Sequence, residues 1–488
     1  MTQKEMQSIL EIGTAISSEK DYNRLLEMIL NRIMELTHAD AGTLYLADGD
    51  LLRFKIMCNN TMHTCEGGDG KEPNLPPVRM SRENVCAMCY LENRTVCIEN
   101  VRTSTEYDFS GPVRYDAMTG YHTQSMLVVP MHNRQGERLG VIQLINAMDA
   151  AGNICAFPAD IIPAVESVAS QAAITIQNVL YIENIKELFE SFVRVMSSAV
   201  DERTPYNASH TRHMVEYGRH FIDYLNETAK AEGREPWFDA EHRRELLMSV
   251  WLHDIGKLVI PLEVMNKEAR LLPEQKSEIL HRFEKMRLLA QIACLKGAIS
   301  GEALEKRLEE LKQDGDTILR ANTAGFCPDD LREEICRIRE KTYTEEDGSE
   351  KPWLEEEEFQ MLMIRKGTLS EKERAVMESH VVITDKLLSE IRFSKELSHV
   401  REWAAGHHEL LNGSGYPKHL MAEQIPMEVR IITILDIFDA LVADDRPYKP
   451  GMPVEKALGI LDIMADKEGK LDPELTRLFR KSRCWEKD

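Results

Sequence analysis

Eleven of the 15 histidines lie beyond residue 200, and several stand beside carboxylates or beside each other. His253–Asp254 closes an apolar run, LLMSVWLHDIGKL. His407–His408 opens HHELLNGSGYP, and Asp436 and Asp439 lie three apart in ITILDIFDAL. A divalent transition metal wants neutral imidazole and anionic carboxylate at close range, and a helical bundle can aim such side chains inward from several helices. Neighbouring helical residues point about 100° apart, so His-Asp and His-His pairs suit two ions or a bridging carboxylate better than one ion. A single buried histidine is more often a satisfied core residue, so the weight rests on the joint pattern.

The elements that must position these residues differ between the two halves of the chain. Beyond residue 200 the pattern is almost wholly helical. Residues 268–366 stand apart, with helices expected over 274–296, 300–322 and 329–342. An acidic run follows, holding Glu345, Glu346, Asp347, Glu350 and Glu355–Glu358, and reads as an exposed face or loop. Residues 1–180 are mixed. Leu25, Leu26, Ile29, Leu30, Ile33 and Leu36 recur at helical spacing behind a candidate N-cap, Asp21. Strands are expected at Ala41–Ala47, Leu51–Met57, Arg94–Ile98, Ser125–Met131 and Leu139–Asn146, with a loop over 59–80 and a closing helix. This is an α+β domain. From 174 to 200 neither Pro nor Gly interrupts the chain. Ile182, Ile185, Phe189, Phe192, Met196 and Ala199 alternate three and four apart, either as a coiled-coil seam between subunits or as a helix packing on its own domain.

Composition narrows the function classes. The 488 residues suggest about three folding units, or two with an enlarged member. Sixty Lys+Arg against 82 Asp+Glu give a net charge of −22, a field that repels polyanions and argues against a nucleic-acid polymer as partner. No stretch reaches the ~18 apolar residues of a membrane helix, and MTQKEMQSILEIG has no secretory pattern, so a cytoplasmic protein away from the membrane is expected. Ten cysteines make no disulfide scaffold. Cys86-x-x-Cys89 with Cys58, Cys65 and Cys97 could supply thiolates to zinc or an iron–sulfur cluster; the alternative is separate reduced thiols on strands and loops.

Six ordered stretches make residues 190–488 resemble the HD-GYP domain, a branch of the HD metal-dependent phosphohydrolases: AVDERTPYNASH (199–210), LHDIGKLVIP (252–261), LSEKERAVMESH (369–380), HHELLNGSGYP (407–417), ILDIFDALVADDRPY (434–448) and LDPEL (471–475). The resemblance implies two divalent transition metals, iron or manganese before zinc or nickel. His210, His253, Asp254 and Asp436 would hold one ion. His380, His407 and His408 would hold the other, with Asp254 bridging. It further implies that Lys257 reaches a phosphate oxygen, that Gly415, Tyr416 and Pro417 form a loop near the substrate, and that Arg446 and Lys449 lie near the nucleotide. The implied activity is hydrolysis of a cyclic dinucleotide, chiefly cyclic di-GMP and in some members cyclic GMP–AMP, to the linear dinucleotide or mononucleotides. Asp254 and Lys257 would carry the catalysis. Other HD phosphohydrolase substrates and a non-catalytic binding module are the alternatives.

Three positions depart from the family pattern. Asn412 replaces the Asp of HHExxDGxGYP, which weakens an expected loop-anchoring role. Tyr206 stands where some members place a glutamate for a third metal, and Ser209 replaces a Gly. His213 competes with His210 as ligand; the preceding ERTPYNAS register favours His210. A larger departure is 268–366, a helical insertion whose ends are expected to meet. It is either an appendage or a lid or docking element.

Residues 1–180 resemble a GAF domain, through TEYDFSGPVRYDAMTGYHTQSMLVVPM (105–131), GVIQLINA (140–147) and the closing helix. Asn146, Phe157 and Asp160 echo a family motif that Ala147 and Ile161 interrupt. The resemblance implies a sensor for an unknown small ligand, joined by a linker helix (174–200) that supports a homodimer. The expected protein is thus multidomain: an α+β GAF domain, then an all-α HD-type helical bundle.

Overall fold

The computed structural model describes residues 13, 15–16, 18–19, 21–68, 73–133, 135–203, 209–443 and 451–486. Tyr206, Arg446 and Lys449 lie outside the described residues. The chain divides into two compact units, 1–189 and 190–488.

In the first unit, α1 (Tyr22–Thr37) begins where the Asp21 side chain accepts the Arg24 amide, which supplies one of the partners a helix start lacks. Strands β1 (Ala39–Asp48), β2 (Leu51–Asn59), β3 (Thr64–Gly67) and β4 (Val78–Arg79) precede the short helix α2 (Val85–Glu92). Then come β5 (Val96–Ile98), α3 (Ser110–Thr119), β6 (Met126–His132), β7 (Arg138–Met148) and β8 (Ile154–Cys155). The sheet runs β3-β2-β1-β7-β6-β5, with β4 on β2 and β8 on β7, and every pair is antiparallel. β3 and β4 correct the loop expected over 59–80: β3 pairs with the end of β2 and β4 with its start. Both sheet faces are covered. Leu44, Ile142 and Leu144 pack under α1 and the closing helix, while Tyr45, Val128 and Val141 pack under α2. Asn146 is buried at φ 55° and acts structurally. Its Oδ1 accepts the Gln124 and Ser125 amides, and its Nδ2 donates to the His122 carbonyl and the Tyr121 hydroxyl.

The cysteines do not form one cluster. Cys58 and Cys65 face each other across β2 and β3 and are disulfide-bonded, whereas separate thiols were the simpler expectation. Cys86 and Cys89 are buried on α2, a helix rather than a strand or loop. Burial pushes the Cys86 thiol up to about 12. Among the described residues, no group able to hold a metal contains a cysteine.

Helix α4 (Ile162–Asp201) spans the boundary between the units in sequence. Val193, Ser197 and Val200 are buried on one face. Tyr181, Ile185, Leu188, Phe192 and Val195 are exposed at 4-3-4-3 spacing. The outward seam is therefore shifted from the expected one: Phe189 and Met196 are half-buried, and Leu188 and Val195 take their places.

The second unit contains α5 (His210–Ala231), α6 (Ala240–Leu252), a 3-10 turn (Ile255–Val259), α7 (Leu262–Met265), α8 (Pro273–Leu295), α9 (Gly301–Thr323) and α10 (Asp329–Arg339). A hairpin of β9 (Thr342–Thr344) and β10 (Glu350–Pro352) follows, then α11 (Glu356–Leu362), α12 (Glu371–Ser389), α13 (Val400–Ala405), α14 (Met427–Val442), α15 (Val454–Asp466) and α16 (Pro473–Ser482). One core joins α5, α6 and α13–α16 through Phe221, Leu246, Trp403, Leu435, Phe438 and Phe479. A separate core built around Phe283, Leu311, Ile335 and Trp353 holds the inserted segment together. The ends of that segment meet: the Thr368 hydroxyl donates to the Lys267 carbonyl, and Lys267 pairs with Glu373 at 2.6 Å. The acidic run is not simply a solvated face. Asp347–Gly348, with φ 86° at Gly348, turns the β9–β10 hairpin. Trp353 is fully buried, and buried Glu358 receives both arms of Arg282. Among the described residues, no helix is long and apolar enough to cross a membrane.

Candidate metal centre

Two triads of side chains could each hold a metal ion: His210, His253 and Asp254, and His380, His407 and His408. They come from the start of α5, the end of α6, the middle of α12 and the residues just after α13. Two close approaches bring these elements together. An added Cβ at Gly256 would collide with the His380 carbonyl, so the glycine lets the 3-10 turn lie against α12. At Gly415 an added Cβ would meet the His408 carbonyl and the Leu410 nitrogen, so the loop can fold back on the histidines.

Asp254 lies between the triads and is buried. Its Oδ2 stands 3.2 Å from His253 Nε2 and 3.9 Å from His210 Nε2. Its Oδ1 stands 3.4 Å from His380 Nε2 and 3.9 Å from His407 Nε2. Asp436, on α14, lies 3.3 Å from His210 Nε2 and 3.7 Å from His408 Nδ1, so it too faces both groups.

Backbone contacts fix which nitrogen of three of the rings faces the centre. His253, His380 and His407 place Nδ1 2.7 Å from the carbonyls of Val250, Met377 and Ala404. A carbonyl can only accept, so Nδ1 carries the hydrogen and Nε2 keeps its lone pair. Those three Nε2 atoms and Asp254 Oδ1 are buried without a hydrogen-bond partner among the described residues. Each orphaned group would cost about 1–3 kcal/mol. Four of them together approach the whole stability of an ordinary domain, ~5–15 kcal/mol. Satisfied core histidines do not look like this. Lone pairs converging on a carboxylate are what a divalent cation would relieve, so the donor set fits metal. Burial pushes the His407 imidazole well below its usual range and His380 down to about 4, which favours the neutral, ligating form.

His210 is held differently. Its Nδ1 lies 2.6 Å from Asp439 Oδ2. Burial pulls its pKa down, but Asp436 and Asp439 outweigh that and hold it up, to about 10. His213, the competing ligand, is half-exposed beside the other Asp439 oxygen and stands outside the triad. Lys257 donates to Asp254 Oδ2 at 2.5 Å. Burial lowers its pKa, while Asp254, Asp436 and Asp201 outweigh that, so the ammonium stays charged. Arg203 donates to the Lys257, Leu258 and Ile260 carbonyls and pins this turn.

Tyr416 lies against His408, ring centroids 4.7 Å apart, and its peptide bond to Pro417 is cis. Buried Glu409 accepts the Lys418 and Leu420 amides on one side of the loop. Asn412 holds the other side: its Oδ1 accepts the Ser414 amide and hydroxyl, and its Nδ2 donates to the Glu468 carbonyl at 3.0 Å. Asn412 therefore takes part in anchoring the loop through its own amide. Glu409 and Arg203 were not singled out from sequence, and Asp439 was noted beside Asp436 without a role. The i, i+3 spacing of Asp439 from Asp436 was its available signal.

A helical site of paired histidines around shared aspartates, in a chain that also holds an α+β domain, has a counterpart among known families. Residues 357–475 match the family model of the HD domain, and residues 21–176 match that of the GAF domain. The chain carries both domains. A 3'3'-cGAMP-specific phosphodiesterase 3 of Vibrio cholerae serotype O1 is 36% identical over 121 residues, 25% of this chain and 25% of that protein. The cyclic di-GMP phosphodiesterase response regulator RpfG of Xanthomonas campestris pv. campestris is 40% identical over 102 residues, 20% of this chain and 26% of that protein. A cyclic di-GMP phosphodiesterase of Thermotoga maritima is 36% identical over 121 residues, 25% of this chain and 32% of that protein. The matches thus span about a quarter to a third of these relatives' lengths. The solved GAF domain of an Acinetobacter phosphoenolpyruvate-protein phosphotransferase is 15% identical and covers 38% of this chain and 99% of that one, with a TM-score of 0.29.

Proposed function

We propose that the protein is a metal-dependent phosphodiesterase that hydrolyses a cyclic dinucleotide, cyclic di-GMP first, to the linear dinucleotide or GMP. The observation that carries this reading is the convergence of three unpartnered Nε2 atoms on Asp254 beside the Lys257 ammonium. His210, His253, Asp254 and Asp436 would hold one divalent ion and His380, His407 and His408 the other, with Asp254 shared. Iron or manganese suits this imidazole and carboxylate set. Such ions supply Lewis acidity: a water acidic enough to attack at neutral pH, and charge neutralisation at phosphorus.

The chain's own residues do the rest. The carbonyls of Val250, Met377 and Ala404 fix the tautomer and aim of three rings. Lys257 turns from Asp254 to a non-bridging phosphate oxygen, where negative charge grows in the transition state. Tyr416 and Pro417 border the space beside His408 where a nucleotide would lie. Arg446 and Lys449 are proposed nucleotide contacts on the family resemblance. The relatives named for cyclic di-GMP and for 3'3'-cGAMP support a cyclic dinucleotide as the substrate class.

The GAF domain is the proposed sensor of a small ligand. The exposed 4-3-4-3 stripe of α4 supports a homodimer through this helix; the proposed organisation is a sensor over 1–180, a linker helix over 174–200 and a catalytic domain over 190–488 with its insertion at 268–366. The activity is tested anaerobically on protein loaded with ferrous iron or manganese. Cyclic di-GMP and cyclic GMP–AMP are supplied in parallel, and products are separated by chromatography. Turnover by wild type and none by Asp254→Ala is expected. No turnover with metal bound would overturn the reading.

A further inference from the structure

The Tyr416 loop is gripped from two sides, and one grip depends on an amide. Leu411 donates its amide to the Lys470 carbonyl at 3.0 Å, and Asn412 Nδ2 donates to the Glu468 carbonyl at 3.0 Å. Both bonds dock the start of the loop on the chain that leaves α15. Ala422 returns a bond to the Leu411 carbonyl and closes the loop's base. Asn412 Oδ1 meanwhile shapes the turn by accepting from Ser414, a turn-forming use of an Asx side chain.

A carboxylate could serve the Ser414 half of this arrangement. It could not serve the Glu468 half, because it has no hydrogen to donate. Two oxygens would then face each other across the present 3.0 Å.

We propose that Asn412 is a positioning residue for the Tyr416 loop, and that the aspartate usual at this place in HD-GYP sequences would serve this chain worse. The kinetic arm of the test rests on the phosphodiesterase reading; the structural arm does not. Wild type, Asn412→Asp and Asn412→Ala are compared by amide hydrogen exchange over 408–424, without added metal. Exchange about three- to tenfold faster is expected for Asp, with Ala between it and wild type, as for loss of one hydrogen bond plus local repulsion. Metal-loaded proteins are then assayed on a cyclic dinucleotide and on bis(p-nitrophenyl) phosphate, which is too small to need the loop. Asn412→Asp should lose about three- to tenfold in kcat/KM on the dinucleotide and keep its rate on the small diester. Exchange in Asn412→Asp no faster than in wild type or Ala overturns the proposal, as does a parallel loss on both substrates. If wild type cleaves neither compound, the phosphodiesterase reading falls, and hydrogen exchange still decides the role of Asn412.

Discussion

Asp439 belongs to neither triad, yet through His210 it should control how tightly the centre holds metal. Its Oδ2 lies 2.6 Å from His210 Nδ1, and its side chain is 1% exposed. A buried, charge-assisted bond of this kind contributes about 1.5–3 kcal/mol. At ~1.4 kcal/mol per decade this is about ten- to a hundredfold in affinity, the range found when the outer partner of a ligating histidine is removed. Asp439→Ala frees the ring to turn and to move its hydrogen to Nε2, where it would block ligation. Asp439→Asn can still accept from Nδ1–H and should lose less. Anaerobic titration with manganese, followed by competition with a chelator, gives the affinity. Circular dichroism would establish that each variant is folded. The expected order is wild type, then Asn, then Ala. A folded Asp439→Ala that binds manganese within twofold of wild type would refute the positioning argument.

Three further expectations follow from the same geometry. Lys257→Met should bind metal normally but lower kcat on the order of a hundredfold, as for loss of one transition-state donor; unchanged kcat would remove Lys257 from the chemistry. Trp353→Ala should destabilise the inserted segment by about 3–5 kcal/mol and produce an early calorimetric transition with metal retained, because its core is separate from that of the helices around the centre. A single undisturbed transition would contradict this. Leu188→Glu places a charge in the exposed stripe of α4 and should convert a dimer to a monomer in sedimentation at micromolar concentration; an unchanged mass would place any self-association elsewhere.

The candidate ligands were legible in sequence through the joint pattern and the order of the six stretches, since any one His-Asp or His-His pair is common. What could not be read was the outer layer. Val250, Met377 and Ala404 act through backbone carbonyls, which any residue supplies. Asn412 donates to Glu468, a neighbour 56 residues away, a contact that comparison with the family pattern alone does not contain. In the acidic run, net charge masked the Asp347–Gly348 turn signal and the Trp353 anchor. Buried Glu358 accepts the Glu355 amide locally and is reached by Arg282 from α8, a pairing no local pattern contains. On α4 both candidate seams have 3,4 spacing, and only burial distinguishes Leu188 from Phe189.

The central claim is that two triads share one carboxylate, and counting metal per chain tests it most directly. Wild type, His210→Ala, His380→Ala and Asp254→Ala would be loaded anaerobically, desalted and analysed by elemental mass spectrometry, with folding verified in parallel. About two ions are expected in wild type, about one in each histidine variant and none retained by Asp254→Ala. Two ions retained by a folded Asp254→Ala, or only one in wild type, would contradict the shared centre.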